Sequence, residues 1–544
     1  MVLTQDKGKK AMKYQPNRLG TMIDCSRNAV ASVESVKKWI DLTSSLGYNT
    51  LMLYTEDTYE VPGEPYFGYM RGRYSQEELR GLDAYAKSRN MELIPCIQTL
   101  AHLNALNRWP EYKEHFDVDD ILLVQDERVY LLIDHMFAAL ADSFTSRVVH
   151  IGMDEAHLLG RGRYADLHGV EERFGIMAQH LRRVCDIGEK YGFRFLMWSD
   201  MFFRLASGGD YYKPETIRDE VKKIIPDNVE LVYWDYYSTD RAHYDAMLTT
   251  HEKLHPGTWF AGGLWSWAGL APHNGYSIRT TEAALQSCVM HNTKNLLFTL
   301  WGDNGGECSR FALLPALFYA AQAAQGITDI EQVKRNFLAR FSVTWDDFML
   351  LDLPGTPGGT SEQVCNAEKY LLYNDPFLGL LDDTTGESTA RDYAQCVEKL
   401  EIAAEKAGEW CYLFETQAAL CRVLAQKATL GADTRKAYAE HDMTALRRIL
   451  HRYEETERLL WKFFEVYRAQ WMKENKPFGF EVQEARLGAI LMRVGSCHER
   501  LLNYFEGKIN KIEELEETRL NFFAPDVKTY YANEWQKIIS PGVI

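Results

Sequence analysis

At 544 residues the chain is too long for one hydrophobic core of ordinary size, and its 46% hydrophobic content can fill two domains. The formal charge of −16 and the lack of a long basic tract argue against nucleic acid or an anionic membrane surface as a partner. Ten singly spaced cysteines, a polar N-terminus and no apolar run near about 18 residues lead us to expect a soluble, cytoplasmic protein with reduced thiols.

Eight short apolar runs alternate with helical patterns from about residue 19 to about residue 325. The runs predict strands at residues 19–24, 50–55, 92–99, 148–153, 194–198, 230–234, 259–262 and 295–301. The helical spacing between them is typical of helices that pack on a sheet. Eight such units predict an α/β fold of the (β/α)₈ barrel type, whose active site lies at the carboxyl ends of the strands. A doubly wound open sheet is the alternative, but the first strand is not followed by the glycine-rich phosphate turn it would need.

The composition becomes strongly helical in the second half of the chain. A Pro/Gly-rich stretch at residues 353–362 indicates a loop, and long helical patterns follow at 390–427, 434–473 and 481–512. We predict an N-terminal tail at 1–17, a catalytic barrel at 18–326, a connecting region at 327–380 and an α-helical domain at 381–544. The regularly spaced apolar residues of these helices favour the core of a helical bundle; they include Trp410, Leu413, Leu420, Leu459, Phe463 and Trp471.

Two segments of the helical domain also suggest contacts beyond its own core. Residues 461–471 are rich in aromatic side chains, so a homodimer through this domain is the alternative interpretation. Residues 471–481 are polar and aromatic enough to reach a pocket, either their own or that of a neighbouring subunit.

Two carboxylates follow the fourth predicted strand. Asp154 and Glu155 come directly after an apolar, β-branched run, and catalytic groups of barrel enzymes lie at this place. Taken alone, such a pair is more often a solvated turn. His150 lies within the strand, and we expect it to orient the acidic pair from behind.

Tryptophans recur near the ends of the last four predicted strands, at Trp198, Trp234, Trp265, Trp267 and Trp301. One such residue would belong to the core, whereas several at equivalent positions indicate an aromatic box that suits the apolar face of a sugar ring. Polar side chains lie among them, namely Asp200, Asp235, Tyr236, Tyr237, Asp303, Asn304 and Glu307. This mixture is typical of a pocket for a small neutral ligand.

The first three predicted strands contribute further polar groups to the same edge. Arg27 follows the first strand, where its guanidinium could grip two hydroxyls or pair with Asp24. Glu56 and Asp57 follow the second strand. His102 follows the third, and a histidine in this place is more often an internal hydrogen-bonding group than a ligand or base.

These motifs resemble a known family. The run from His150 to Glu155, HIGMDE, is similar to the HxGGDE signature of family 20 glycoside hydrolases, the β-N-acetylhexosaminidases, with Met153 where the family usually has glycine. DCSRN, EDTY, PCIQTLAHL, MWSDMFF, VYWDYY and WGDNGGE resemble its streptococcal and paenibacillar branch, whose enzymes remove terminal N-acetylglucosamine or N-acetylgalactosamine. The resemblance covers about residues 18–317. Family members usually carry a small α/β domain before the barrel, whereas about 17 residues precede the first strand here.

The resemblance implies substrate-assisted catalysis with retention. The acetamido oxygen of the substrate would attack the anomeric carbon, Glu155 would protonate the leaving oxygen, and Asp154 would accept the acetamido N–H and orient the group. Most glycosidases instead use two separated carboxylates, an arrangement that adjacent residues cannot easily supply.

The remaining roles are also implied by the resemblance. Arg27 would hold ring hydroxyls and Asp303 the outer hydroxyls, while the acetamido carbonyl would accept from either Tyr236 or Tyr233. His102 is a further candidate for substrate contact, and Asp24 a supporting residue. The walls around the sugar would be Trp198, Trp234, Trp265 and Trp301. The implied partner is a glycan that ends in N-acetylhexosamine, with no cofactor and no metal.

Two other classes of function stay open. One is a catalytically silent sugar-binding protein with the same aromatic box. The presence of both Asp154 and Glu155 argues against this alternative. The other is a metal-dependent hydrolase on the same barrel, suggested by His102, His150 and His157.

Overall fold

The computed structural model describes residues 14–214, 219–359, 362–524, 526–527 and 530–543. Most of the predicted N-terminal tail, residues 1–13, lies outside them, as do residues 360–361 of the predicted Pro/Gly-rich loop. The earlier part of that loop contains a short 3₁₀ turn at Leu350–Gly355.

Within the described residues, eight parallel strands form a closed barrel, and a short antiparallel hairpin lies beside it. The barrel strands are β1 (Arg18–Asp24), β2 (Thr50–Tyr54), β3 (Glu92–Cys96), β6 (Val148–His150), β7 (Arg194–Trp198), β8 (Val229–Trp234), β9 (Trp259–Gly263) and β10 (Asn295–Leu300). The hairpin consists of β4 (Phe116–Val118) and β5 (Ile121–Leu122). β1 closes the barrel because it pairs with both β2 and β10, so that Thr21 aligns with Leu51 and Phe298. The predicted (β/α)₈ barrel is confirmed, whereas the hairpin was not predicted.

Helices cover the barrel and make up most of the second half of the chain. Those up to residue 324 are α1 (Val33–Ser45), α2 (Gln76–Ser88), α3 (Asn104–Asn107), α4 (Glu127–Ser143), α5 (Arg163–His168), α6 (Arg173–Glu189), α7 (Asp200–Ser207), α8 (Asp219–Lys222), α9 (Arg241–Leu254), α10 (Asn274–Met290) and α11 (Leu314–Ala324). The others are α12 (Ile330–Phe341), α13 (Trp345–Met349), α14 (Ala367–Tyr373), α15 (Thr389–Ala404), α16 (Cys411–Lys427), α17 (Leu430–Ala439), α18 (Met443–Glu474), α19 (Phe480–Phe505), α20 (Glu513–Glu516) and α21 (Trp535–Ile539). In the described part of the chain, no helix is both long and apolar enough to cross a membrane.

The strand that leads to the acidic pair is shorter than the sequence suggested. β6 ends at His150 because Gly152, Met153 and Glu155 have positive φ values of 73°, 66° and 52°, which a strand cannot accommodate. At Gly152 a Cβ would lie 2.1 Å from Oε1 of Gln98, so only glycine fits. The resulting turn places both carboxylates above the strand end.

The predicted long helices are interrupted where the backbone adopts a left-handed conformation. The first breaks between α15 and α16 at Gly408, with a φ of 55°, and the second between α17 and α18 at His441, with a φ of 52°. The third ends at Phe505, two residues before Gly507 at a φ of 73°. All six apolar residues named above for this region are buried, as expected of a bundle core.

The aromatic segment 461–471 packs mainly within its own chain. Phe463, Tyr467 and Trp471 are buried, whereas Trp461 is half exposed. The homodimer therefore stays a prediction. The adjoining segment 475–480 lies against the loop after β1, since the Lys476 amide donates to the Val30 carbonyl at 2.8 Å.

Candidate active site

A pocket opens where the barrel strands end, the face that carries the active site in barrels of this type. Tyr54, Trp198 and Trp234 are the last residues of their strands and help to line it. The full lining is Arg27, Tyr54, His102, Asp154, Glu155, Trp198, Trp234, Tyr236, Tyr237, Trp267, Trp301 and Asp303. Charged groups and aromatic rings therefore meet in one place.

His102 lies between the two carboxylates of the acidic pair. Its Nε2 is 3.2 Å from Oδ2 of Asp154 and 3.8 Å from Oε2 of Glu155. The other oxygen of Asp154 accepts a hydrogen bond from Nε2 of Gln98 at 2.7 Å. Burial alone would raise the pKa of Asp154, but His102 and these polar contacts outweigh burial and lower that pKa below its usual value. Asp154 is therefore ionised at neutral pH.

The same pairing makes the stability of the protein depend on pH. Burial lowers the pKa of His102, but the Asp154 carboxylate outweighs burial and raises it from 6.5 to about 10. A group with a raised folded-state pKa stabilises the folded protein fully below about pH 6.5, and this contribution is lost as the pH rises through about 10. We expect His102→Asn to lower the unfolding midpoint most at about pH 6 and progressively less toward pH 10. Thermal unfolding across this range measures the effect, and an equal destabilisation at every pH would contradict the ion pair.

Glu155 is held by the helix that follows β7. Its backbone N–H donates to Oδ2 of Asp200 at 3.1 Å, and Nε of Arg204 donates to the same oxygen at 3.0 Å. Nη2 of Arg204 also donates to Oε1 of Glu155 at 3.3 Å. Asp200 is fully buried, and burial together with the Asp154 charge raises its pKa to about 7. The Glu155 side chain is 38% exposed, so it stays open to a substrate.

Arg27, also in the pocket lining, pairs with a carboxylate from the next strand end. Its Nη2 is 3.0 Å from Oε1 of Glu56. Burial raises the pKa of Glu56, and the Arg27 charge opposes burial, leaving a value of about 7. Asp24 instead accepts from the backbone amides of Ser26 and Gly302, each at 2.8 Å. Asp24 therefore fixes the loops around Arg27.

Aromatic rings form the walls. Trp301 packs 6.0 Å from Trp198 and edge-on to Tyr54 at 4.8 Å, measured between ring centroids. Tyr236 stacks on Trp234 at 5.4 Å and meets Trp267 edge-on at the same distance. These contacts hold the rings rigidly around the space that the carboxylates face.

Two family models match this chain. The glycosyl hydrolase family 20 catalytic domain matches residues 18–244, which include the acidic pair, and the Glycoside Hydrolase 20C C-terminal domain matches residues 346–532. The chain belongs to glycoside hydrolase family 20. The catalytic-domain match covers the barrel from β1 to β8, and helices α14 to α20 lie in the matched C-terminal part.

Named relatives are distant and are matched only in part. A "Beta-hexosaminidase" of Akkermansia muciniphila is 28% identical over 167 residues, which are 25% of this chain and 34% of that protein. A "Hexosaminidase D" of Bos taurus is 26% identical over 253 residues, which are 42% of this chain and 64% of that protein. The chain thus spans less than two thirds of either relative.

Solved structures of family 20 proteins are similar at a low level. A Vibrio harveyi exo-β-N-acetylglucosaminidase in complex with N-acetylglucosamine has a TM-score of 0.45 at 17% identity, over 60% of this chain and 58% of that one. A Flavobacterium johnsoniae chitobiase has a TM-score of 0.46 at 14% identity, over 80% of this chain and 75% of that one.

The structure places two predicted contact residues of this family 20 barrel outside the pocket. Tyr233 precedes Trp234 on β8 and so points to the opposite face of the strand, where its hydroxyl donates to Oδ2 of Asp235 at 2.8 Å. Trp265 lies behind Trp267, stacked on it at 4.3 Å, and its Nε1 donates to the backbone of Tyr236. The other predicted contact residues line the pocket, namely Arg27, His102, Asp154, Glu155, Trp198, Trp234, Tyr236, Trp301 and Asp303.

Of the residues that line the family 20 pocket, Tyr54 was not predicted, whereas Tyr237 and Trp267 were predicted near the strand ends without a role. Tyr54 ends β2 and reaches Oε1 of Glu56 with its hydroxyl at 3.1 Å. Tyr237 lies beside carboxylates, and burial together with Asp303 and Glu155 raises the pKa of its hydroxyl. Tyr54 could have been predicted in the same way as the tryptophans, from its position at the end of a strand. Arg204, which donates to Glu155, is not marked by any local sequence pattern.

The histidines that suggested a metal do not converge. His150 lies behind the pocket, where its Nδ1 accepts from the Gly152 amide at 3.1 Å and its ring packs 4.3 Å from Trp198. Burial lowers the pKa of His150 to about 3, so it is neutral. Across the described ranges, no group of three or more His, Cys, Asp or Glu side chains is arranged to hold a metal ion.

Proposed function

We propose that this family 20 protein is an exo-acting, retaining β-N-acetylhexosaminidase that removes terminal N-acetylglucosamine or N-acetylgalactosamine by substrate-assisted catalysis. The observation that carries the proposal is that Asp154 and Glu155 both lie within 4 Å of one imidazole nitrogen, inside a pocket walled by tryptophans. Carboxylates of adjacent residues are poorly placed to act as acid and nucleophile on opposite faces of a sugar, which supports a nucleophile supplied by the substrate.

The substrate can supply that atom. The acetamido oxygen attacks the anomeric carbon, the bond to the leaving oxygen breaks, and Glu155 gives its proton to that oxygen. A cyclic oxazolinium ion results. Water then attacks the same carbon, the bond between that carbon and the acetamido oxygen breaks, and Glu155 takes up a proton from the water, so the acetamide is restored and the β configuration is retained. The partial exposure of Glu155 suits a group that must meet both the leaving oxygen and water.

Asp154 has the complementary role. Because His102 and Gln98 keep it ionised, it can accept the acetamido N–H, hold the oxygen in line for attack and stabilise the positive charge of the intermediate. Tyr236, which lines the pocket wall, is the proposed donor to the acetamido carbonyl. Tyr233 is not, because its hydroxyl is bound to Asp235 outside the pocket.

The remaining contacts fit a hexopyranose. The exposed part of the Arg27 guanidinium and the Asp303 carboxylate can bind the outer hydroxyls, while Trp198, Trp234 and Trp301 cover the apolar face and the acetamido methyl. We also propose that the protein belongs to the streptococcal and paenibacillar branch of the family, that it is cytoplasmic and that it forms a homodimer.

A simple assay tests the function. The purified chain should release p-nitrophenol from the N-acetyl-β-glucosaminide, the N-acetyl-β-galactosaminide or both. Binding of N-acetylglucosamine without any release would instead favour a catalytically silent sugar-binding protein. Loss of release on treatment with EDTA would favour a metal-dependent hydrolase.

A further inference from the structure

The loop after β10, residues 301–307, carries two residues of the pocket, Trp301 and Asp303. This β10 loop has little regular structure of its own, since Asp303, Gly305 and Gly306 have positive φ values of 30°, 116° and 64°. Its conformation must therefore be fixed by what packs against it.

At its start the loop is held by the barrel, because the Gly302 amide donates to Asp24 at 2.8 Å and the Ser266 hydroxyl donates to the Trp301 carbonyl at 2.8 Å. From Asn304 to Glu307 it is held by α14 and α19 of the helical region, by which we mean the helices from α13 onward. Glu307 is buried at the end of the loop, where its Oε2 lies 2.7 Å from Nζ of Lys369 on α14 and its Oε1 lies 2.8 Å from Nη1 of Arg486 on α19. Arg486 also donates to the Asn304 carbonyl at 2.7 Å, and Gln483 donates to the Gly305 carbonyl at 3.0 Å. We call Lys369, Gln483 and Arg486 the loop clamp.

The clamp is nearly sealed from water. The side chains of Lys369, Glu307 and Arg486 are 1%, 2% and 11% exposed. Removing charges from water has a large desolvation cost, so a buried ion pair is weak evidence for stability and better attested as a device that fixes one arrangement. The arrangement fixed here is that of Asn304 to Glu307, directly after Asp303.

A sugar hydroxyl is recognised only if its partner is held within a few tenths of an ångström. We propose that the loop clamp makes the helical region part of the sugar site: it positions Asp303 and thereby sets both the affinity for the terminal sugar and the choice between the gluco and galacto epimers. This rests on the proposed function, in which Asp303 binds the outer hydroxyls that distinguish the epimers. Lys369, Gln483 and Arg486 are positioning residues and do not touch the sugar.

Three clamp variants test the proposal, Lys369→Met, Arg486→Met and the milder Gln483→Leu, which leaves both ion pairs in place. Because lost ground-state binding raises KM and leaves kcat unchanged, we expect the charge-removing variants to raise KM by about tenfold with kcat within about threefold. The ratio of kcat/KM between the two p-nitrophenyl epimers should also move by at least about threefold. Gln483→Leu should show the same pattern at smaller size, and it remains informative if the other two do not fold.

Arg493→Met is the matched control. Arg493 lies on the same helix two turns beyond Arg486, about 10 Å along its axis. Its Nε donates to Oδ2 of Asp375 at 2.6 Å, so the variant also removes a cation from a buried carboxylate of the helical region. We expect it to lower the unfolding midpoint but to leave KM and the epimer ratio as in the wild type.

The proposal is overturned if folded clamp variants keep the wild-type KM and epimer ratio, or if Arg493→Met changes both as much as they do. Failure of the proposed function is a separate result, namely a wild-type protein that hydrolyses neither glycoside. In that case calorimetric binding of N-acetylglucosamine and N-acetylgalactosamine tests the clamp, with weakened binding and an altered ratio of the two Kd values as the expected outcome.

Discussion

We expect Glu155→Gln to lower kcat by at least about a hundredfold, because the variant keeps the size of the side chain but can neither give nor accept the transferred proton. The loss should be larger for a natural disaccharide than for a p-nitrophenyl glycoside, since p-nitrophenolate leaves more easily without protonation. Steady-state kinetics on the two substrates measure the difference. An equal loss on both would contradict the role of Glu155 as the acid.

Added azide provides the control for this variant. An anionic nucleophile needs no base, so azide should restore turnover of the p-nitrophenyl substrate by Glu155→Gln and give the β-glycosyl azide. Binding of a thiazoline inhibitor with wild-type affinity would show that the pocket is intact. A folded variant that binds the inhibitor and is not restored by azide would exclude Glu155 as the base of the second step.

Asp154→Asn should also lower kcat by at least about a hundredfold, but for a different reason. The amide cannot offset the positive charge of the oxazolinium ion, and it presents an N–H where the acetamido N–H needs an acceptor. Because the substitution impairs the first step, in which the oxazolinium ion forms, and azide acts in the second step, azide should not restore activity.

The same variant has a second consequence. It removes the charge that raises the pKa of His102, so the pH-dependent part of the stability described above should disappear with it. Azide rescue of Asp154→Asn equal to that of Glu155→Gln would mean that the two roles have been assigned wrongly.

The sequence predicted the barrel because each strand is a short apolar run with a polar group at its end, and strand ends of a barrel converge. The sequence did not show which of two neighbouring side chains at a strand end faces the pocket. Tyr233 and Trp265 have the right residue type but face away from the pocket, and their neighbours Trp234 and Trp267 occupy the walls. Only the pleat and the course of the loops decide such cases.

Long-range partners were also beyond the sequence. Gln98 contacts Asp154 across 56 positions, and Lys369 meets Glu307 across the boundary between the barrel and the helical region. No local pattern connects such residues. The helix breaks at Gly408 and His441 were missed because the apolar spacing continues through them, although the left-handed backbone ends each helix.

The one departure from the family signature has a structural account. Met153, at the position where the HxGGDE motif has its second glycine, adopts a φ of 66°, the left-handed conformation that favours glycine. Its amide donates to Oε1 of Gln98 at 3.1 Å, and its side chain is buried. Gln98 thus binds both this turn and the Asp154 carboxylate.

The central claim is that the sugar brings its own nucleophile, and one comparison tests it most directly. The wild-type protein should hydrolyse the p-nitrophenyl N-acetyl-β-glycoside of its preferred epimer with release of the β-configured sugar, and it should show no turnover of the matching p-nitrophenyl β-glucoside or β-galactoside, which has a hydroxyl in place of the acetamido group. Comparable kcat/KM values for the two substrates would contradict the account.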